Sequence, residues 1–250
     1  MLPSLTIEGS IANITLRRPQ AANKLTPADL PELLSHFDTV NRHPDVMVLV
    51  LRAQGKHFCS GYDISEVAGS SQTPGSSFGE MVDALEGCRA VTIACVQGGA
   101  YGGATDLALA CDFRVGCGSS EMFMPAARLG LHFYQSGLER YVTRLGLDTA
   151  KRLFLTAEKL DAQAMRDCGF LTHLVDGALL DGEVQRLCTT LAAMAPIPLL
   201  GMKKHLNQIA RGAVDSEALR REVQRSVNSD DLSEGGRAWK EKRTPVFTGR

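Results

Sequence analysis

Residues 91–111 constrain this chain more than any other stretch. Val91-Thr92-Ile93-Ala94-Cys95-Val96 is an almost continuous apolar run, which predicts a buried strand. Gly98 to Asp106 follows as GGAYGGATD, and Leu107-Ala108-Leu109-Ala110-Cys111 then continues as a good helix former. A strand, a glycine turn and a helix in that order leave backbone N–H groups without partners at the helix start, with the positive end of the helix dipole behind them. Glycine at 102 and 103 removes the Cβ atoms that would keep a ligand away from that backbone. Asp106 falls in the first helical turn. The expectation is an anion or oxyanion site with an acid/base candidate beside it.

Composition limits what surrounds this element. With 250 residues, 44% hydrophobic, 22% charged and a net charge of -1, the chain suits one soluble α/β domain with a helical appendage. Near-neutral charge without blocks of like sign argues against a general nucleic-acid binder. Seven cysteines (59, 88, 95, 111, 117, 168 and 188) form no Cys-x-x-Cys pair, which fits reduced thiols in the cytoplasm. Cys and His nowhere cluster at zinc-ligand spacing. No apolar run approaches membrane length, and the N-terminus lacks a basic-then-apolar leader, so no membrane partner is expected.

Along the chain, Leu5–Glu8 and Ile11–Leu16 read as a hairpin around Gly9-Ser10. Thr26-Pro27 reads as an N-cap followed by the first helical residue, ahead of apolar positions 30, 33, 34, 37 and 40. Val46–Leu51 reads as a strand covered on both faces, leading into the turn-rich passage 55–64. Gly69–Gly79 is expected to be a surface loop, and Glu80–Cys88 a helix. Short strands are expected at Phe113–Gly116, Glu121–Met124 and Leu171–Val175. Helices are expected around 138–145, at Thr149–Thr156 and Asp161–Cys168, and in four segments from Leu179 to Lys242. The βαβ rhythm implies a parallel sheet with ligands at its carboxyl edge. Residues 1–195 are read as the core and 196–250 as an added helical region.

Taken singly, each glycine loop is more often a structural turn than a ligand site. Their combination is more specific. HFCSGYDI at 57–64, GGAYGGATDLALACDFRV at 98–115, PAARLGL at 125–131 with GLERYVTRLG at 137–146, and EGGRAWKEKRTPVF at 234–247 occur in order across the chain. Together they resemble the crotonase superfamily, the enoyl-CoA hydratase/isomerase family. The resemblance implies a spiral of ββα units with a helical C-terminal trimerisation region. It also implies an acyl-CoA thioester as substrate, an enolate held by two backbone amides, and trimers or dimers of trimers. Coenzyme A enters only as part of the substrate, and no metal or redox cofactor is implied.

Position by position, the resemblance places the two oxyanion amides on Tyr62 and Gly103 and the first catalytic acid on Asp106. Lys56, Phe58, Gly61, Asp63, Ile64 and Gly102 would surround the substrate, with Lys242 and Arg243 near the coenzyme A phosphates. The second glutamate of typical hydratases is replaced by Ala126, which lacks a carboxylate to hold and deprotonate water. The usual small-residue loop is replaced by Gly130-Leu131-His132-Phe133-Tyr134, so His132 and Tyr134 are second-tier acid/base candidates. Plainer roles stand beside each. Asp106 could stabilise a helix start, His132 and Tyr134 could pack, and Lys242 and Arg243 could be solvated. Hydration is the family's common reaction, but isomerisation and decarboxylation of a malonyl-type thioester tolerate the loss at 126 better. Acyl-CoA binding without turnover is the alternative from another class.

Overall fold

Val48-Leu49-Val50-Leu51 is apolar on both faces, and it lies inside a sheet whose two sides are both covered. The computed structural model describes residues 1–63 and 76–250. Its elements run β1 (Ser4–Glu8), β2 (Ile11–Leu16), α1 (Asp29–Arg42), β3 (Val48–Ala53), α2 (Ser76–Glu86), β4 (Val91–Val96), β5 (Gly99–Tyr101) and α3 (Gly103–Ala110). Next come β6 (Phe113–Cys117), β7 (Glu121–Phe123), α4 (Gln135–Leu145), α5 (Leu147–Thr156), β8 (Leu160–Asp161), α6 (Ala162–Asp167) and β9 (His173–Val175). Four helices follow: α7 (Leu180–Ala192), α8 (Pro196–Ala210), α9 (Ser216–Val227) and α10 (Asp230–Glu241).

The large sheet has the order β1-β2-β3-β4-β6-β9. Only the β1–β2 hairpin is antiparallel; the other pairs are parallel. The carboxyl ends of β3 and β4 therefore open at one edge, and the chain leaving each enters a glycine loop. A smaller sheet, β5-β7-β8, is extended by bridges from Cys59 to Ala100 and from Leu25 to Tyr62. Each pass of the chain lays one strand in the large sheet, one short strand in the small layer and then a helix. β3, residues 59–62 and α2 form one such unit; β4, β5 and α3 form the next. This is the ββα spiral.

Alternation on β3 assigns Leu49 and Leu51 to the main core with Ile14, Phe37, Met81 and Leu107. Val48 and Val50 face the opposite side, where Leu180, Val184 and Leu187 of α7 cover them with Ile93 and Val115. Burying each such side chain contributes about 1.5–3 kcal/mol, and the two layers hold the glycine loops at the sheet edge.

Several expectations need correction. Helix α1 runs from Asp29, three residues after Thr26, and the Asp29 carboxylate reaches back to accept the Thr26 N–H and hydroxyl and binds Arg18 besides. Helix α2 begins at Ser76, so Ser76–Gly79 are helical, while the rest of the expected Gly69–Gly79 loop lies outside the described residues. Ile64 lies outside them too. The terminal helices expose Met202, Leu206 and Ile209 on α8, Val223 and Val227 on α9, and Leu232 and Trp239 on α10. All seven cysteines are free. Among the described residues, no helix is long and apolar enough to cross a membrane.

Candidate active site

The passage after β3 is stitched between two neighbours. Cys59 pairs with β5 through Cys59 N–H to Gly99 O and Tyr101 N–H to Cys59 O. On its other edge, Leu25 N–H donates to Gly61 O and Asp63 N–H donates to Leu25 O. In such a parallel bridge the Tyr62 N–H points away from Leu25, toward the edge along which β5 runs. Gly61 makes the turn with φ +94°, and a Cβ there would stand 2.6 Å from Tyr101 O and 3.2 Å from the Gly103 amide nitrogen. The two glycine loops are thus in direct backbone contact, which only a residue without a side chain permits.

Gly103 opens α3, preceded by Gly102 with φ +55° and ψ -128°. Among the described residues no acceptor pairs with the Gly103 N–H. The helix behind it is buried from Ala104 to Ala110, with Thr105 and Asp106 as its polar members, so its dipole acts in a dry setting. Phe78 of α2 covers the glycine: a Cβ on Gly103 would stand 2.8 Å from the tip of its ring. The Phe78 ring also lies 5.4 Å from Tyr62 and edge-on to Tyr134 at 6.2 Å. Tyr134 in turn stacks on Phe133 at 4.3 Å.

Asp106 is removed from solvent in the first turn of α3. Its Oδ2 accepts the Tyr134 hydroxyl and, at 2.5 Å, Nη1 of Arg140. Its Oδ1 is buried with no partner among the described residues. Burial pushes the Asp106 carboxyl above the ordinary range, and Arg140 and the Tyr134 hydroxyl act against that push. Burial and the neighbouring Asp106 raise the Tyr134 hydroxyl well above its usual value, so it serves as a donor. Arg140, also removed from solvent, reaches Asp83 and Glu86 on α2 with its remaining nitrogens. Glu86 pairs further with Arg144 and with Arg211, which follows α8. Burial works against the Glu86 charge, but Arg140 and Arg211 outweigh it and hold that carboxyl below its ordinary value.

Of the residues singled out in the sequence, Tyr62, Gly61, Gly102, Gly103, Asp106 and Tyr134 come together here. His132 does not join them; it is exposed, and its Nδ1 bonds the Phe133 carbonyl 2.8 Å away. Phe58 and Ala126 are buried in the main core. Lys56 is exposed, and Asp63 pairs with Lys24 at 2.6 Å. Lys242 is exposed after α10, and Arg243 is ion-paired with Glu234 and Glu241. Cys59, beside Gly61, is an unreactive thiol that burial raises to about 12. Sequence reasoning missed Arg140, Glu86 and Phe78. One signal was available: Gly137, Arg140 and Tyr141 fall on one helical face, which places an arginine in a buried stripe. A cavity of about 1140 Å³ lies elsewhere, at the amino ends of β3 and β4 between Met47, Arg89, Ile197 and Lys204, and includes neither glycine loop.

A ββα spiral carrying two touching glycine loops at its carboxyl edge defines the crotonase class of fold. The family model for enoyl-CoA hydratase/isomerase matches residues 6–250, and the chain belongs to that family. An enoyl-CoA isomerase/hydratase of Mycosarcoma maydis is 30% identical over 96% of this chain and 93% of its own. A probable enoyl-CoA hydratase of Mycobacterium bovis is 30% identical over 95% of this chain and 94% of its own. The solved structure of an enoyl-CoA hydratase/carnithine racemase from Magnetospirillum magneticum is similar with a TM-score of 0.92 at 27% identity, covering 99% of this chain and 96% of that one.

Proposed function

We propose that this acyl-CoA enzyme of the enoyl-CoA hydratase/isomerase family works through a thioester enolate, with the N–H groups of Tyr62 and Gly103 holding the oxygen and Asp106 moving the proton. The observation that carries this reading is the contact between Gly61 and the Gly103 amide, with Asp106 one turn along the same helix. Two amides aimed at one developing oxyanion stabilise it by several kcal/mol, on the order of 3 for each donor. In the proposed step a substrate C–H bond breaks and its electron pair moves into the enolate. The proton lands on Oδ1 of Asp106, the oxygen without a partner among the described residues. Return of that proton to the γ-carbon completes a double-bond shift.

Ala126 favours isomerisation over hydration. By the family resemblance, position 126, a buried alanine here, is where hydration would need a second carboxylate, whereas one base shuttling one proton suffices for isomerisation. The apolar side chains exposed on α8, α9 and α10 support self-association, as a trimer or a dimer of trimers, through the helical region. Seven free thiols suit a reducing compartment such as the cytoplasm.

The test is incubation with α,β-enoyl, β,γ-enoyl and malonyl thioesters of coenzyme A. Conversion of the β,γ-ester that disappears in Asp106→Ala supports the reading. Conversion of the malonyl ester alone would replace it with decarboxylation. Tight binding of coenzyme A with no turnover of any ester would make the chain a binder.

A further inference from the structure

We propose that Arg140 is a positioning residue, clamped on α2 by Glu86 and Asp83, which engages Oδ2 of Asp106 and leaves Oδ1 to the reacting atom, with Glu86 as its counterweight. The inference rests on the acid/base role proposed for Asp106 and adds two residues to it. Its basis is geometric. Arg140 spreads its guanidinium over three carboxylates: Nη1 to Asp106 at 2.5 Å, Nε to Glu86 at 3.1 Å, and Nη2 to Asp83. A planar fork held at three points fixes the orientation of the carboxylate it meets. Tyr134 completes the hold on Oδ2. The other oxygen, Oδ1, is equally dry and has no partner among the described residues, a state that buried carboxylate oxygens rarely adopt without a reason.

The charges around Asp106 set opposite pressures. From α4 come Arg140 and the Tyr141 hydroxyl, and from the residue just before it the Tyr134 hydroxyl; from α2 come Glu86 and Asp83. Arg144, Arg211 and Glu139 act from behind Glu86 and Arg140. Burial disfavours the Asp106 carboxylate, Arg140 favours it, and Glu86 disfavours it. Removing Arg140 and neutralising Glu86 therefore move the proton affinity of Asp106 in opposite directions. An arginine that braced α4 against α2 without engaging Asp106 would not produce that pair of signs.

The test is the pH profile of kcat/KM, whose acidic limb reports proton uptake by Asp106. Arg140→Met is expected to move that limb up by about 1–3 pH units, the usual effect of losing an adjacent opposite charge. Glu86→Gln is expected to move it down. Arg140→Lys keeps the charge but loses the fork, so its limb stays near the wild-type position while kcat falls. Limbs that stay in place in both Arg140→Met and Glu86→Gln, or that move in the same direction, overturn the proposal. If Arg140→Met does not fold, Glu86→Gln decides alone, and an unmoved or upward limb is the negative result. An active Asp106→Ala enzyme would remove the acid/base reading itself. An inactive Asp106→Ala with unmoved limbs would remove only the role given to Arg140.

Discussion

Gly61 and Gly103 touch through their backbones: a Cβ on Gly61 would lie 3.2 Å from the Gly103 nitrogen and 2.6 Å from Tyr101 O. Gly61→Ala must therefore push the two loops apart as well as strain a residue at φ +94°. The expected destabilisation is about 1–3 kcal/mol, with loss of turnover well beyond what the unfolded fraction explains. Gly130→Ala is the matched control, since φ is +74° there with open space around the added methyl. It should lose about 1 kcal/mol of stability and keep its kcat. Urea unfolding and initial rates on both variants separate strain from displacement of the amides.

Phe78 lies against Gly103, where it limits the room beside the proposed oxyanion. Phe78→Ala should destabilise the protein by about 3–5 kcal/mol, as truncation of a buried aromatic does. In the folded fraction, kcat/KM for longer acyl thioesters should rise relative to the shortest by about tenfold or more. Equal losses for all chain lengths would show that Phe78 packs without shaping the acyl site.

Acid should unfold this protein partly through Asp29. Burial pushes that carboxyl up, but its bonds from Arg18 and Thr26 outweigh this and hold it below the ordinary carboxylate value. A carboxyl lowered in the folded state contributes stability that is complete above its unfolded value and lost as pH falls through its folded value. The window is therefore below about pH 4. Urea midpoints measured from about pH 7 down to about pH 3 should fall steeply for the wild type and less steeply in that window for Asp29→Asn. That variant should already be weaker by about 1.5–3 kcal/mol at neutral pH, the usual worth of a hydrogen bond to a charged group.

Patterns carried by consecutive residues were legible in the sequence. The β4 run, the glycine start of α3 and the terminal helices all announce themselves locally through apolar periodicity and glycine placement. Strands β5 and β8 span only three and two residues, too few for an alternating pattern, and it is pairing with β7, and for β5 also with Cys59, that makes them strands. Thr26 reads as the approach to α1, and Asp29 binds back to it from inside the helix, but a string of residues does not reveal that Arg18, after β2, shares the same carboxylate. The site was half visible for the same reason. Asp106 and the glycines sit in one motif, whereas Arg140, Glu86 and Phe78 reach it from other helices.

The most direct measurement of the central claim is exchange of the α-protons of a saturated acyl-CoA thioester in deuterated water, followed by NMR. It reads enolate formation without requiring any particular overall reaction. Exchange by the wild type that falls at least about a hundredfold in Asp106→Asn, with thioester binding retained, is the expected result. Exchange that continues unchanged in Asp106→Asn, or is absent in a wild-type protein that binds the thioester, would contradict the account.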